Sequence, residues 1–199
     1  HYVVPAGTPG VNPMGDFTSW ETAATNIQDA VSVAGTGALV LVTNGVHTLT
    51  NQLVIKTALT LRSFNEGATD REGTVIDGGF PARTNRCFFV DNVDAVIDGF
   101  TFTNGFAPAT VNSGHGGGVY LYLKGTLTNC AVAGNKAAGN GGGVYMTEGG
   151  LVVNSIIAGN NATNGSGGGV YAYSAYVAAI VTNCLIRDNC SRAGGGVYL

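Results

Sequence analysis

The sequence predicts an all-β fold: a parallel β-helix, a three-faced solenoid of stacked coils. Three observations carry the prediction. Gly-Gly-Gly-Val-Tyr occurs four times, at Gly116–Tyr120, Gly141–Tyr145, Gly167–Tyr171 and Gly194–Tyr198, with periods of 25, 26 and 27 residues. Each unit holds three short apolar runs with period-two alternation, separated by Gly and Asn, which is strand and turn chemistry. The composition agrees: Gly is 32 of 199 residues, hydrophobic residues are 45% and charged residues only 11%. That much apolar surface excludes a disordered Gly-rich linker. Helical repeats are longer, about 33 residues or more, and tolerate little internal Gly.

Residues 1–38 stand outside the repeat. Ser19 reads as an N-cap, and Ala23, Ala24, Ile27, Ala30, Val31 and Ala34 recur at helical spacing before Gly35 and Gly37. The spacing predicts one amphipathic helix over about 20–34, capping a solenoid of residues 39–199. A terminal coil needs such a cover because its open edge invites strand pairing. The other end carries nothing comparable, since Tyr198-Leu199 lies inside the first strand of a new coil. The expectation is therefore a longer parent chain or head-to-tail self-association at the uncapped end.

The coil motif after each complete triplet aligns Leu127–Asn135, Val152–Asn160 and Val181–Asn189 with Ile97–Gly105. One column then reads Gly78, Gly99, Asn129, Asn154, Asn183, residue types that tolerate positive φ, and is predicted to be a corner with a stacked ladder. Asn135, Asn160 and Asn189 mark a second corner. After the first corner, Phe100, Cys130, Ser155 and Cys184 should point inward, as should Phe102, Val132, Ile157 and Ile186. Cys130 and Cys184 would lie two coils apart, about 9.6 Å, too far for a disulfide. Cys190, placed in a turn beside Asn161, and Cys87 have no obvious partner, and no metal-binding Cys pattern occurs.

On the remaining face, Val119, Leu121 and Leu123 should face the core with Val144, Met146, Val170, Ala172, Val197 and Leu199. Tyr120, Tyr145, Tyr171 and Tyr198 then form an outward ladder, with Tyr122 and Tyr173 as a partial second row broken by Thr147. Exposed aromatic rows suit sugar rings or a protein surface, while stacked Tyr also stabilises a sheet by itself.

Several segments add a resemblance. Tyr2-Val-Val-Pro, Trp20-Glu-Thr-Ala, Asn26–Val31, Val40–Leu49, Leu59–Ser63 and Thr74–Gly78 together resemble bacterial secreted right-handed β-helix proteins of the pectin-lyase-like superfamily. The Asn-ended strands with Gly142-Gly143-Val144 and its equivalents resemble polymorphic outer-membrane protein repeats, although Cys130, Ser155 and Cys184 stand where that repeat has an aromatic. The resemblance covers nearly the whole chain. It implies right-handed coils and an extracellular or cell-surface bacterial protein, and it leaves enzymes, adhesins and structural proteins all open.

No catalytic group assembles from the sequence. The acidic candidates are Asp77, Asp91, Asp94 and Asp98, with Asp77 and Asp98 in equivalent places on neighbouring coils, where Asp before a corner Gly caps turns. His115 reads as a loop residue, and Lys124, Arg187 and Asp188 fall on different faces. Scattered cations and a net charge of −3 argue against nucleic acid, and no apolar run is long enough to insert in a membrane. The expectation is a non-catalytic surface solenoid, an adhesin or filament-forming structural protein that contacts carbohydrate through the Tyr ladder, with no cofactor or metal. The alternative is a polysaccharide lyase or glycoside hydrolase fragment.

Overall fold

Short alternating runs punctuated by Gly and Asn leave each strand only a few residues, so the chain satisfies its backbone by pairing coil on coil. The computed structural model describes residues 1–64, 73–174 and 176–199. Its strands stack in parallel, in register, on the faces of a solenoid. The first sheet runs through Tyr2–Val3, Leu39–Thr43, Thr60–Phe64, Val96–Asp98, Thr126–Thr128, Gly150–Val153 and Ala179–Thr182. The second holds Gly45–Thr48, Thr74–Asp77, Thr101–Thr103, Ala131–Ala133, Ile156–Ala158 and Leu185–Arg187. The third holds Leu53–Ile55, Phe88–Asp91, Val119–Leu123, Val144–Thr147, Val170–Tyr173 and Val197–Tyr198. A fourth, short ladder of Phe106–Ala107, Lys136–Ala137, Asn161–Ser166 and Cys190–Ala193 fills the corner between the second and third sheets. Cys190 thus lies in a strand opposite Asn161 rather than in a turn.

Inward residues make one continuous core. Leu61, Ile97, Leu127 and Val152 line it from the first sheet, Ile76, Phe102, Val132 and Ile157 from the second, and Phe88, Val119, Val144 and Val170 from the third. Phe100, Cys130 and Ser155 are buried in one column, and the Ser155 hydroxyl accepts from the Cys130 N–H at 3.2 Å. No disulfide joins the four cysteines, of which Cys87 and Cys130 are buried and Cys190 is exposed. Leu123 departs from its expected inward place. The register slips between Leu121 and Leu123, and Leu123 is 36% exposed.

The helix is shorter than its apolar spacing predicts. It spans Ile27–Val33, with Asn26 as N-cap, whose side chain accepts from the Gln28 N–H at 2.8 Å. The preceding Ala23 and Ala24 are buried in another way. Ala24 bridges Val3 in parallel, donating to Tyr2 and accepting from Val4, so the chain there is extended. Ser19 caps only a local turn with Thr22. Gln28 reaches from the helix to the outermost strand of the third sheet. Its amide accepts from the Val54 N–H at 2.8 Å and donates to the Val54 carbonyl at 3.2 Å, taking the place of a neighbouring strand.

The first corner is a column of left-handed bends. Gly99, Asn129, Asn154 and Asn183 have φ of +85°, +53°, +52° and +49°. Asn129 donates to Asp98 at 2.8 Å and Asn183 to Asn154 at 2.6 Å. Gly78 is the exception. Asp77 pairs with Thr103, so Gly78 is level with Asn104, one sheet further on, and the bend is taken by Gly79 at φ +81°. A Cβ at Gly78 would lie 2.6 Å from the Asn104 carbonyl oxygen, so close approach rather than turning demands glycine. The two Val-Ile-Asp-Gly runs match in letters and sit on different faces.

The stronger ladder is at the second corner. Asn104, Gly134, Gly159 and Asp188 make the bend with positive φ, and the following Asn135 and Asn160 turn fully into the core. Asn135 Oδ1 accepts from the Gly105 N–H at 2.8 Å, Asn160 Oδ1 from the Asn135 N–H at 2.9 Å, and Asn189 Oδ1 from the Asn160 N–H at 2.9 Å. Each side-chain amide also donates back: Asn135 to Phe102 at 3.0 Å, Asn160 to Val132 at 2.8 Å and Asn189 to Ile157 at 2.9 Å. Polar groups in a dry core are tolerated because they are satisfied in this way.

Candidate functional site: an aromatic row on the third sheet

Each Gly-Gly-Gly-Val-Tyr segment delivers one side chain to the outer face. The glycines let neighbouring coils come close: a Cβ at Gly142 would lie 2.5 Å from the Asn161 carbonyl carbon and the Gly168 oxygen. After the triplet the strand alternates. Val119, Val144 and Val170 are buried inward, and the next residue, Tyr, points out.

The outward column is longer than the repeat alone suggests. Phe89 pairs with Tyr120, Tyr120 with Tyr145, Tyr145 with Tyr171, and Tyr171 with Tyr198. Ring centroids are 5.2, 4.8, 5.2 and 5.2 Å apart in that order. The first two contacts are edge-to-face and the last two stacked, both favourable aromatic geometries. Phe89 escapes a search for the repeat because Arg86-Cys87 precedes it instead of glycines.

Two residues from the connecting segments close over this column. His115, just after the turn Asn112–Gly114, stacks on Tyr145 with centroids 4.4 Å apart at 11°. Its Nδ1 lies 2.9 Å from the Asn140 N–H, which can only donate, so Nδ1 is unprotonated and the neutral ring carries its proton on Nε2. The Arg86 guanidinium lies over the Tyr120 ring at 5.2 Å and the Phe89 ring at 5.9 Å. Consequently Tyr120 is only 7% exposed although it points away from the core. Tyr145 is equally covered, and burial first, then the neighbouring phenols of Tyr120, Tyr171 and Tyr173, pushes its phenol up to about 12. Burial also holds the His115 imidazole below its ordinary value, and the Arg86 charge adds to this.

The accessible part of the row is its flank. Tyr122 is 42% exposed and Tyr173 58% exposed, and Tyr198 is exposed as well. Tyr122 stacks on Phe89 at 5.7 Å. Thr147 interrupts this second row and pairs with Tyr173. Tyr173 borders a cavity of about 440 Å³ that Tyr176 and Val177 also line.

The acidic candidates are spread around the solenoid. Asp98 accepts from the Arg62 Nε at 2.9 Å and from Asn129 in the first sheet, whereas Asp77 accepts from the Gly79 N–H at 2.9 Å and from Asn104 at 3.1 Å in the second. The expected juxtaposition of Asp77 with Asp98 is therefore corrected: they lie on different faces. Asp91 ends a third-sheet strand, and Asp94 lies in the turn beyond it, its N–H bonded to Asn92. Arg187 pairs with adjacent Asp188 at the second corner, and Lys124 sits at the bend after Leu123. Among the described residues no group of three His, Cys, Asp or Glu converges as metal ligands would, and no helix is long and apolar enough to cross a membrane.

A stacked parallel solenoid with an inner Asn ladder and an outer aromatic row defines a β-helix protein. Residues 84–199, more than half of the chain, match the family described as the right-handed β-helix region, and the protein belongs to that family. No curated protein and no solved structure shows a recognisable match to it.

Proposed function

We propose that the protein is a non-catalytic surface solenoid, extracellular or at the surface of a bacterial cell, that contacts carbohydrate along the aromatic row of its third sheet. Adhesion or a structural role follows from such a surface. The observation that carries the reading is the outward column from Phe89 to Tyr198, one aromatic per coil, flanked by the accessible rings of Tyr122 and Tyr173. Coils repeat about every 4.8 Å, so the accessible rings of Tyr122 and Tyr173, two coils apart across Thr147, are about 9.6 Å apart along the axis and can be bridged by one saccharide chain. Aromatic faces bind sugar rings at low entropy cost, because Tyr has few torsions to freeze. The resemblance of the coils to pectin-lyase-like and polymorphic outer-membrane proteins supports the surface location.

The test is binding to a panel of cell-wall and extracellular polysaccharides. The double variant Tyr122→Ala/Tyr173→Ala should lose at least tenfold in affinity for whichever saccharide the wild type retains, with an unchanged unfolding midpoint. Equal binding by wild type and variant would remove the aromatic row from the function. Depolymerisation of an acidic polysaccharide by the purified chain would overturn the non-catalytic reading.

A further inference from the structure

We infer that Arg86 forms the floor of a binding site for a small carboxylate. Arg86 is 1% exposed, yet its Nε and Nη1 have no hydrogen-bond partner among the described residues. Its third nitrogen, Nη2, donates to the Val111 carbonyl at a long 3.3 Å. The ion pairs among the described residues are Arg62 with Asp98 and Arg187 with Asp188, and neither involves Arg86. The aromatic faces of Tyr120 and Phe89 support the guanidinium and supply no acceptor in its plane.

This arrangement is costly as it stands. A buried cation loses its hydration, and here two ring faces and one long hydrogen bond stand in place of a counter-charge. Other buried charges are paired or hydrogen-bonded as a rule, so an exception points to a partner outside the chain. Arg86 remains a cation at neutral pH, since burial lowers it only to about 10. Uncharged acceptors would leave that charge uncompensated.

A cavity lies at the same place. It measures about 160 Å³, and Arg86 lines it together with Asn51, Gln52, Thr84, Asn85 and Val111. The space is several times the roughly 30 Å³ share of one water in the liquid. Its polar lining is uncharged apart from Arg86, offering amide and hydroxyl donors and no carboxylate to repel an anion. A guanidinium among neutral donors selects an oxyanion, and a carboxylate of acetate size or somewhat larger suits the volume. The site lies between the segments 51–52, 84–86 and 107–111, beside the aromatic row. It does not depend on carbohydrate binding there.

The experiment is thermal unfolding of the intact chain in acetate, phosphate or chloride at fixed ionic strength. Acetate should raise the midpoint saturably, by about 5 °C near a hundred times its dissociation constant. The Arg86→Met variant keeps the stem over the rings and should lose the effect. A shift common to all three salts, or one retained in Arg86→Met, overturns the proposal. A saturable response to phosphate with none to acetate overturns the carboxylate assignment. Should Arg86→Met fail to fold, the Arg86 Nε–H resonance of the wild type decides. Saturable movement with acetate supports the site, and a resonance indifferent to every anion means an ordered water only and refutes it.

Discussion

Asn160 shows how much one side chain does in a solenoid. It accepts from the coil below, donates to Asn189 and Val132, and is closed off from water. Replacing it by Ala strands the Asn135 N–H in the core, at roughly 1–3 kcal/mol, and also removes the amide bonds to the Val132 carbonyl and Asn189 and leaves a cavity. Asn160→Ala should therefore destabilise by about 3 kcal/mol, read as a lower urea midpoint. Asn154→Gly should change it by less than about 1 kcal/mol, because that position mainly requires positive φ, which Gly supplies freely. The histidines predict a pH dependence. Burial lowers His115 and His47 below the ordinary 6.5, with Arg86 adding at His115 and a bond to Thr43 opposing at His47. Below that value the unfolded chain binds more protons than the folded one, so stability falls on acidification from about pH 7 to about pH 5. His115→Phe, which keeps the stack on Tyr145 and removes the titration, should flatten part of that fall. The Asn residues were legible as corners from their repeat. Which Asn column turns inward was not, because both corners carry Gly and Asn and only the bend decides which residue faces the core.

At the scale of the element, the glycine triplet sets how close successive coils come. Gly142→Ala puts a Cβ against the backbone of Asn161 and Gly168, and neither can retreat without opening the ladder. The expected cost is about 3 kcal/mol, again by urea unfolding. Gly35→Ala meets nothing within 4 Å and should be neutral within about 0.5 kcal/mol. The third-sheet strands were readable because triplet, Val and Tyr recur with fixed alternation. The helix start was not, since Ala23 and Ala24 satisfy a helical period while being buried by a bridge to Val3. Arg86 and His115 escaped the sequence for a related reason. They lie in connecting segments with no repeat, and only folding brings them over Tyr120 and Tyr145.

At the scale of the whole molecule, the packed core and the proposed contact face lie on the two surfaces of one wall. The inner surface carries the apolar columns and the Asn ladder, and the outer surface of the third sheet carries the aromatic row. A periodic sequence reveals this division well, since each coil repeats the same in-and-out pattern. It reveals the occupant of the outer surface poorly, because stacked Tyr rings stabilise a sheet and present a binding face with the same residues. Register is what the entire arrangement rests on: a slip of one residue would exchange the two surfaces. Scalar couplings through hydrogen bonds, measured by NMR between backbone nitrogen and side-chain amide carbon, test that register directly. The structure predicts correlations from the Gly105 N–H to the Asn135 side chain, from Asn135 to Asn160, and from Asn160 to Asn189. Correlations confined to residues of the same coil, or their absence in a folded and protected sample, would contradict the stacked ladder and the solenoid built on it.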